Sequence, residues 1–340
     1  MEVIRKMILT GPLFAAAALA AVSTAHGTAA ADGANVPRLI VPMACEVGKT
    51  CLIQKLVDHD SGPGRRDHRC GTLTTDGHDG IDIRLRTMQD MAQGYAVLAA
   101  AGGIVLRVRD GEPDISILER GNANGRDAGN GVVIDHGNGW ETQYSHLKRG
   151  SLIVRPGQRI AAGERLGLVG MSGNSEFPHL HFSVRLHGKP VDPFIGATVP
   201  AACDATKIRP GLWTTDAARA LAYTPTAPIT LGLASRVPPR AVADRAIPPA
   251  VEGATLPLLI WVDLIGAQDG DVQIFEIQGP DGALLHSQTL PVSKGGLSWF
   301  AYSGKRAPAA GWPKGRYVGS YILKRDGATI VQQRTFATIP

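Results

Sequence analysis

The sequence predicts a mainly β protein, with an antiparallel sheet in the central part of the chain and a small β-sandwich at its C-terminal end. A length of 340 residues suits two domains with connecting segments. The 41 glycines and 23 prolines favour many tight turns, and short apolar runs lie between them. This combination is typical of short strands joined by turns rather than of long helices.

The central sheet is predicted between residues 71 and 200, after a segment, 32–70, that is expected to be irregular. Its apolar runs are short and bounded by glycine, which is the pattern of strands. They are Tyr95–Ala99, Ile104–Val108, Val132–Ile134, Leu152–Val154, Leu166–Val169 and Leu180–Leu186. Two longer and more polar stretches, 84–94 and 110–129, are predicted to be loops, and such loops in compact domains are often functional.

The C-terminal part is predicted to begin with connecting material at 201–250. This stretch contains a candidate short helix, Thr215–Ala222, and a Pro-rich segment typical of a semi-rigid linker. Strands return within 251–340, with hairpin turn signals at Asp281-Gly282 and Asp326-Gly327. They are Leu258–Leu264, Val272–Ile277, Ser298–Tyr302, Tyr317–Leu323 and Ile330–Phe336. Their number and spacing predict a small β-sandwich of unknown role.

Residues 1–31 have the layout of a secretory signal peptide. Two basic residues precede an apolar, Ala-rich stretch that is short for a membrane span. Small residues follow, and cleavage after Ala25 or Ala31 suits the pattern. An uncleaved anchor is the alternative. The mature protein is therefore expected to be soluble, to lack a transmembrane segment, and to act in the periplasm or outside the cell.

The four cysteines fit an exported protein, where disulfides are the default. They allow three pairings. A Cys45–Cys51 bond would close a small loop around Gly48, and a Cys70–Cys203 bond would tie together the ends of the central domain. A thiolate metal site has less support, because the sequence contains no CxxC pair.

The formal net charge of +5 is small for this length. The sequence contains no run of Lys and Arg with interleaved aromatic residues, so nucleic-acid binding is not expected. A mild positive charge suits an anionic polymer such as a cell wall, and it is equally typical of a generic basic protein.

The first motif with chemical potential is the stretch 78–83, which places His78 and Asp82 four residues apart around Gly80. Imidazole and carboxylate are ordinary zinc ligands. Ile81 and Ile83 flank Asp82, which favours the start of a strand over a helix. A single His/Asp pair is more often a surface hydrogen bond, so this motif needs support from elsewhere.

The second motif is the alternating stretch 178–185. His179 and His181 alternate with Leu180, Phe182 and Val184. Because alternate side chains of a strand share a face, the two histidines are predicted to point the same way while the apolar residues pack into the core. One imidazole of such a pair can bind a metal while the other reaches the adjacent water or substrate. A pair of exposed polar residues is the simpler interpretation.

The third motif is the stretch 130–147, which reads as a strand, a glycine-rich turn and a second strand. His136 is placed in the turn and is interpreted as structural. His146 follows Tyr144 at strand spacing and precedes Leu147.

Together these motifs resemble the M23 family of metallopeptidases, the lysostaphin- and LytM-like enzymes. The family pattern consists of a His-xxx-Asp element, a Tyr-x-His-Leu element and a His-Leu-His-Phe element, and this chain has all of them in that order. The resemblance covers about residues 71–200 and implies a LytM-like antiparallel β-sheet catalytic domain there. Its connecting features are Tyr95-Ala96-Val97, Gly103-Ile104-Val105, 155–160, Gly163-Glu164, Leu166-Gly167, Gly170, Ser172-Gly173 and 191–194.

The resemblance implies that His78, Asp82 and His181 bind one zinc ion per catalytic domain. His146 and His179 match the two catalytic histidines that do not bind the metal. Three protein ligands leave a fourth position for water, as a catalytic zinc site requires. One imidazole can accept a proton from that water, and the other can stabilise the developing oxyanion. The sequence leaves open which of the two is the base.

The resemblance therefore implies a secreted zinc metalloendopeptidase that hydrolyses peptide bonds in bacterial peptidoglycan cross-links, with peptidoglycan peptides as substrate. The alternative is a catalytically silent LytM-like binding module that activates another cell-wall hydrolase. The presence of all five site residues favours the enzyme. Two departures from the family pattern are the long loops, which leave the exact substrate open, and Ser183, where an acidic residue is common.

A third interpretation makes the C-terminal sandwich a targeting module for a wall polymer or a protein. Trp299, Tyr302 and Trp312 are candidates for such a surface. Aromatic side chains more often fill a core, and most of these are expected to do so.

Overall fold

The computed structural model describes residues 36–203, 205–206, 211–239 and 250–340. The predicted signal peptide at 1–31 and residues 240–249 of the predicted linker lie outside these ranges. Over the described residues, no helix has both the length and the apolar character needed to cross a membrane.

The central part of the chain forms an antiparallel sheet, as predicted. Its strands are β1 (Cys51–Lys55), β2 (Ile81–Leu85), β4 (Gly103–Arg109), β5 (Asn130–Gly137), β6 (Trp140–Leu147), β7 (Arg159–Ile160), β9 (His179–Leu186), β10 (Lys189–Asp192) and β11 (Ala197–Thr198). Among the described residues their order is β1-β2-β9-β6-β5-β4-β7, and β10 with β11 extends the sheet from β9. A separate pair consists of β3 (Ala96–Leu98) and β8 (Arg165–Leu168). The order places β9 between β2 and β6, so that three motif-bearing strands adjoin.

The two polar stretches predicted as loops each contain a short helix. After β2, which extends to Leu85, the helix α1 (Met88–Gln93) begins at a capping box formed by Thr87 and Asp90. The helix α2 (Ile117–Arg120) begins at Ser116. The capping residues, which the loop prediction overlooked, satisfy the free N–H groups at each helix start.

One predicted strand is absent. Residues 152–154 are not in a strand, because turns closed by Ser151 N to Lys148 O and by Gln158 N to Arg155 O bracket the segment. A short extended piece remains between them, and in it Ile153 N donates to Leu166 O. An apolar run of three residues between two turns is too short to establish a ladder.

The segment 32–70 is not irregular throughout, because it contains β1. This strand pairs with β2 and closes one side of the sheet. Four of its five residues are buried, so both of its faces are covered. Since neither face is exposed, the strand shows no polar–apolar alternation, and the mixed charge around it hid its presence in the sequence.

The C-terminal part is a β-sandwich, as predicted. Its strands are β12 (Ala227–Ala234), β13 (Leu258–Ala267), β14 (Val272–Gln278), β15 (Leu284–Pro291), β16 (Gly296–Lys305), β17 (Gly315–Arg325) and β18 (Ala328–Ile339). One sheet has the order β12-β13-β16 and the other β15-β14-β17-β18. Residues of both sheets, such as Ile260 and Phe275, share one apolar core.

Two sandwich strands differ from the prediction. β12 lies inside the stretch 201–250 that was expected to be connecting material, and β15 falls between predicted strands. The sequence of β12 resembles a linker because Pro228 and Gly232 interrupt its apolar run. In the structure, this strand pairs with β13 along most of its length. β15 is half-exposed at the outside of its sheet and therefore has a weak apolar signal. The candidate helix is present as α3 (Thr215–Ala220).

The four cysteines form two disulfides, Cys45–Cys51 and Cys70–Cys203. The second bond joins positions 133 residues apart in sequence. Of the sandwich aromatics, Trp312 is buried and Trp299 is half-buried with its indole N–H donated to Gln273 Oε1. Tyr302 is exposed.

Candidate metal centre

The register of the central sheet brings residues from four strands into one row. Asp82 on β2 lies opposite His181 on β9, and Lys55 on β1 lies opposite Asp82. On the other side of β9, Ser145 on β6 lies opposite His181. Directly opposed residues of antiparallel strands have closely spaced Cβ atoms. The metal-ligating residue types of two separate motifs are therefore neighbours because of pairing, which spacing along the chain does not reveal.

Strand alternation on β9 agrees with the sequence prediction. Leu180, Phe182 and Val184 are almost completely buried on one face. His179 and His181 project from the opposite face, where both line the cleft described below.

His78 reaches the same place from the turn that precedes β2. Its Nδ1 lies 2.8 Å from the carbonyl oxygen of Leu56. Since a carbonyl can only accept, Nδ1 carries the proton and Nε2 faces Asp82 with its lone pair. The turn requires glycine at position 80, because a Cβ there would lie 2.6 Å from Phe182 O and 2.7 Å from His181 Nε2.

His78, Asp82 and His181 each present one ligand atom, and these atoms all lie within 4.8 Å of one another. Asp82 Oδ1 is 3.0 Å from His78 Nε2 and 3.0 Å from His181 Nδ1. Two imidazole nitrogens and one carboxylate oxygen are a donor set that suits zinc. The residues present therefore fit a zinc ion bound by three protein ligands.

Each of these three side chains is held by a further partner. Lys55 Nζ lies 3.1 Å from Asp82 Oδ2, which leaves Oδ1 as the carboxylate oxygen that faces the imidazoles. Asp79 Oδ1 lies 3.2 Å from His181 Nε2, while Asp79 Oδ2 accepts a bond from Arg185 at 3.0 Å. A carboxylate that accepts the second N–H of a ligand histidine fixes its tautomer and its orientation.

His146 joins the cluster from the end of β6. Its φ of 63° is left-handed, a conformation that costs a non-glycine residue about 1–3 kcal/mol. Because of this left-handed backbone, the His146 side chain leaves the strand face that the buried Tyr144 occupies. The centroid of the His146 ring lies 4.6 Å from the centroid of the His179 ring. Its Nδ1 donates to the carbonyl oxygen of Ser172 at 2.7 Å, so Nε2 is left as an acceptor.

His179 has the same tautomer for the same reason. Its Nδ1 lies 2.9 Å from the carbonyl oxygen of Phe177, and the hydroxyl of Ser175 is 3.1 Å away. Its Nε2 lies 3.6 Å from Asp82 Oδ1. Burial lowers the pKa of His179 to about 4, and burial together with the neighbouring histidines holds the pKa of His146 well below its usual value. Both rings are therefore neutral at pH 7 and present an unprotonated Nε2 towards the cluster.

The pKa values of His181 and Asp82 are shifted in opposite directions. Burial disfavours the charged form of His181, but bonds to Asp79 and Asp82 outweigh it and raise its pKa to about 9. Burial also disfavours ionised Asp82, but His78, His179 and His181 outweigh it and hold the Asp82 pKa well below its usual value. The bond from His181 is the largest contribution that lowers the pKa of Asp79. The cluster thus keeps two carboxylates ionised around His181.

The structure brings all five sequence-predicted site residues together and leaves His136 outside. His136 lies at the end of β5, where it contacts Gly102 O and Thr142 Oγ1. The sequence interpretation did not find Lys55 or Asp79. Asp79 carried a weak signal because it adjoins His78, whereas Lys55 carried none because it lies 27 positions before Asp82 and meets it only through the pairing of β1 with β2.

Part of the chain is similar in sequence to known proteins. Residues 76–193 match the sequence pattern of Peptidase family M23. The chain is 33% identical over 130 residues to "Peptidoglycan DD-endopeptidase ShyA" of Vibrio cholerae, which covers 38% of this chain and 25% of that protein. It is 38% identical over 112 residues to "DD-carboxypeptidase/endopeptidase Mpg" of Neisseria meningitidis, with 32% and 22% covered.

Among solved structures, the chain is similar to the catalytic domain of the antimicrobial peptidase lysostaphin from Staphylococcus simulans. The identity is 19% and the TM-score 0.27, with 41% of this chain and 85% of that chain covered. The chain spans about a quarter of the length of the curated relatives named above. Residues 76–193, which match Peptidase family M23, contain the whole His/Asp cluster and are called the M23 domain below.

Proposed function

We propose that this protein is a zinc metalloendopeptidase that hydrolyses peptide bonds in bacterial peptidoglycan cross-links outside the cytoplasm. The observation that carries the proposal is the convergence of His78, Asp82 and His181 on one point, with the unprotonated Nε2 atoms of His146 and His179 beside it. Membership of the domain in Peptidase family M23 supports hydrolysis of a peptide bond. The name of ShyA supports peptidoglycan as the substrate, and the name of Mpg supports endopeptidase activity.

The proposed ligands are His78 through Nε2, Asp82 through Oδ1 and His181 through Nδ1. A zinc ion held by these atoms would supply Lewis acidity, which polarises the scissile carbonyl and increases the acidity of water at the open coordination position.

His146 and His179 perform the proton chemistry in this proposal. Each accepts at Nε2, because its Nδ1–H is committed to a backbone carbonyl. One ring removes a proton from the attacking water, and the proton passes to the leaving amine. The other ring accepts a second hydrogen bond at Nε2 from the same water and so orients it for attack, because an unprotonated Nε2 has no hydrogen to donate to the carbonyl oxygen. The backbone bonds to Ser172 and Phe177 keep both rings aimed at the reacting atoms.

The alternative function is a silent LytM-like module that activates another cell-wall hydrolase. The complete set of five side chains supports the enzyme instead, since a purely structural module has no need of two buried neutral histidines beside a ligand cluster.

The test uses full-length protein that has been loaded with zinc and incubated with defined cross-linked muropeptides. We expect about one zinc per chain by elemental analysis and new peptide termini by mass spectrometry of the products. A protein that binds zinc yet cleaves neither cross-linked muropeptides nor intact sacculi would favour the silent module. His181→Ala protein serves as the metal-free control.

A further inference from the structure

The C-terminal sandwich is fastened to the M23 domain by Arg86, which follows β2. The guanidinium donates to Pro228 O at 2.8 Å and to Ile229 O at 2.7 Å, both on β12 of the sandwich. The same group donates to Gly48 O and Lys49 O, at 2.8 and 2.6 Å, in the turn before β1. Charge-assisted bonds from one planar group to four carbonyls fix the relative position of these segments.

Apolar packing continues this attachment. Ile229 and Ile265 of the sandwich are buried within the core of the M23 domain, and Leu297 packs against the same core. Ile265 on β13 lies opposite Ser298 on β16. Because Ile265 is anchored in the shared core, this pairing holds the first residues of β16 against the M23 domain.

The first residues of β16 face the metal centre. A cavity of about 390 Å³ is lined by all five site residues, namely His78, Asp82, His146, His179 and His181, and by Leu297 and Ser298 from the sandwich. Phe177 adds an apolar surface within the same lining, and Gln54 adds a polar one. The sandwich therefore borders the space in which the chemistry takes place.

The cleft continues on the side of the metal centre that lacks sandwich residues. A second cavity of about 440 Å³ shares Thr75, His78, His146, Asn174 and His181 with the first and reaches Gln143 and Arg185. The two spaces together form one cleft with the His/Asp cluster in its middle. A substrate peptide that lies across the cluster would place one arm beside the sandwich and the other arm on the sheet.

We propose that the sandwich supplies one wall of the substrate cleft, with Leu297 and Ser298 in contact with the peptide arm on one side of the scissile bond. This inference rests on the proposed function and assigns the sandwich to the same site. The lining of this cavity combines Leu297 and Phe177 with the hydroxyl of Ser298 and the amide of Gln54, and Lys55 and Glu176 add one charge of each sign. This mixture of apolar and polar groups fits an extended peptide arm with small aliphatic side chains. Small apolar contacts of this kind set specificity for the residue next to the cleaved bond.

The test uses zinc-loaded full-length protein and three hydroxamates that bind the metal. One is acetohydroxamate, which has no peptide arm. The other two carry a dialanine arm, one extending from the acyl side and one from the opposite side of the metal-binding group. The variants are Leu297→Trp and Ser298→Trp, and the matched control is Leu284→Trp, since Leu284 is 56% exposed on β15 of the same sandwich.

We expect Leu297→Trp to weaken one of the two arm-bearing hydroxamates by about tenfold or more, because an oversized side chain in a packed pocket blocks the arm. Acetohydroxamate binding and zinc content should stay unchanged, and Leu284→Trp should match the wild type. Ser298→Trp is a second variant of the cleft wall and should weaken the same hydroxamate. Because Ser298 is exposed, we expect its replacement to leave folding intact. Unchanged binding of both arm-bearing probes to both cleft variants would overturn the inference.

The proposed function fails in a distinguishable way. If the variants differ from the wild type in hydroxamate binding as expected, but the wild type cleaves no muropeptide, the inference about the cleft wall is supported and the assignment of peptidoglycan as the substrate fails. If the wild type binds no zinc, the proposed function and the inference that rests on it both fall. With a cleaved cross-linked peptide, Leu297→Trp should raise KM about tenfold, whereas Leu284→Trp, outside the cleft, should leave KM unchanged.

Discussion

Asp79 Oδ1 lies 3.2 Å from Nε2 of His181, the nitrogen on the far side of the ring from the proposed ligand atom. Arg185 holds the other oxygen of Asp79 at 3.0 Å and also donates to Gln143. A chain of polar contacts therefore runs along the sheet face and ends at a proposed metal ligand. Such outer partners keep a ligand histidine in one tautomer and one orientation.

Replacement of Asp79 should therefore weaken zinc binding without removing a ligand. We expect Asp79→Ala to lower zinc affinity by about 10- to 100-fold, as measured by competition with a chromophoric chelator. Asp76→Ala is the control, because Asp76 is a carboxylate that lines the same cavity. Equal losses in both variants would indicate a general charge effect and would contradict an orienting role for Asp79.

Loss of a proposed ligand should have a stronger effect. His181→Ala removes one of the three ligand atoms that lie within 4.8 Å of one another, and we expect it to abolish both zinc binding and peptidase activity. His136→Ala is the matched control, since His136 bonds to Gly102 and Thr142 and does not line the cavity that contains the cluster. Full activity in zinc-free His181→Ala protein would refute the zinc mechanism.

Loss of a proposed catalytic histidine should lower peptidase activity without removing zinc. His146→Ala leaves the three ligand atoms in place, so zinc content should be unchanged. Removal of a positioned acid–base group should lower kcat by about 10²- to 10⁴-fold. Zinc content by elemental analysis and kcat on a cross-linked muropeptide measure the two effects separately. Loss of zinc together with activity would show that His146 belongs to the ligand set instead.

Zinc uptake should release a proton. The His181 pKa of about 9 in the absence of metal means that this ring is protonated at pH 7. Because a metal ion can bind Nδ1 only after that proton leaves, zinc affinity should rise by about tenfold per pH unit up to about pH 9. Calorimetry in buffers of different ionisation enthalpy measures the released proton. A pH-independent affinity between pH 6 and 8 would contradict this coupling.

The attachment of the sandwich should contribute measurably to stability. Arg86→Ala leaves the carbonyls of Pro228 and Ile229, which are partly buried, without their donor, at an expected cost of about 2–4 kcal/mol in the free energy of unfolding. Arg219→Ala is the control, because the pair of Arg219 with Asp216 is exposed and should contribute almost nothing. Urea denaturation followed by tryptophan fluorescence distinguishes the two. An equally small effect of both variants would mean that Arg86 is dispensable for the attachment.

The sequence by itself determined the mainly β character of the chain, the antiparallel central sheet and the C-terminal sandwich. It also determined the alternation of β9, because the period of two along a strand is a local property that the order of residues sets. The identity of the five site residues came from motif resemblance, and the structure brings those five side chains together. Elements with an interrupted or weak apolar pattern, such as β1, β12 and β15, escaped prediction.

Only the tertiary structure decided which residues surround those five. Lys55 meets Asp82 through the pairing of β1 with β2, and Leu297 reaches the cleft because Arg86 and Ile265 fasten the sandwich to the M23 domain. The left-handed turn at His146 is likewise absent from any local pattern. These contacts join residues that are distant in sequence. They form only when strands pair and sheets pack, so no local sequence pattern around either residue indicates them.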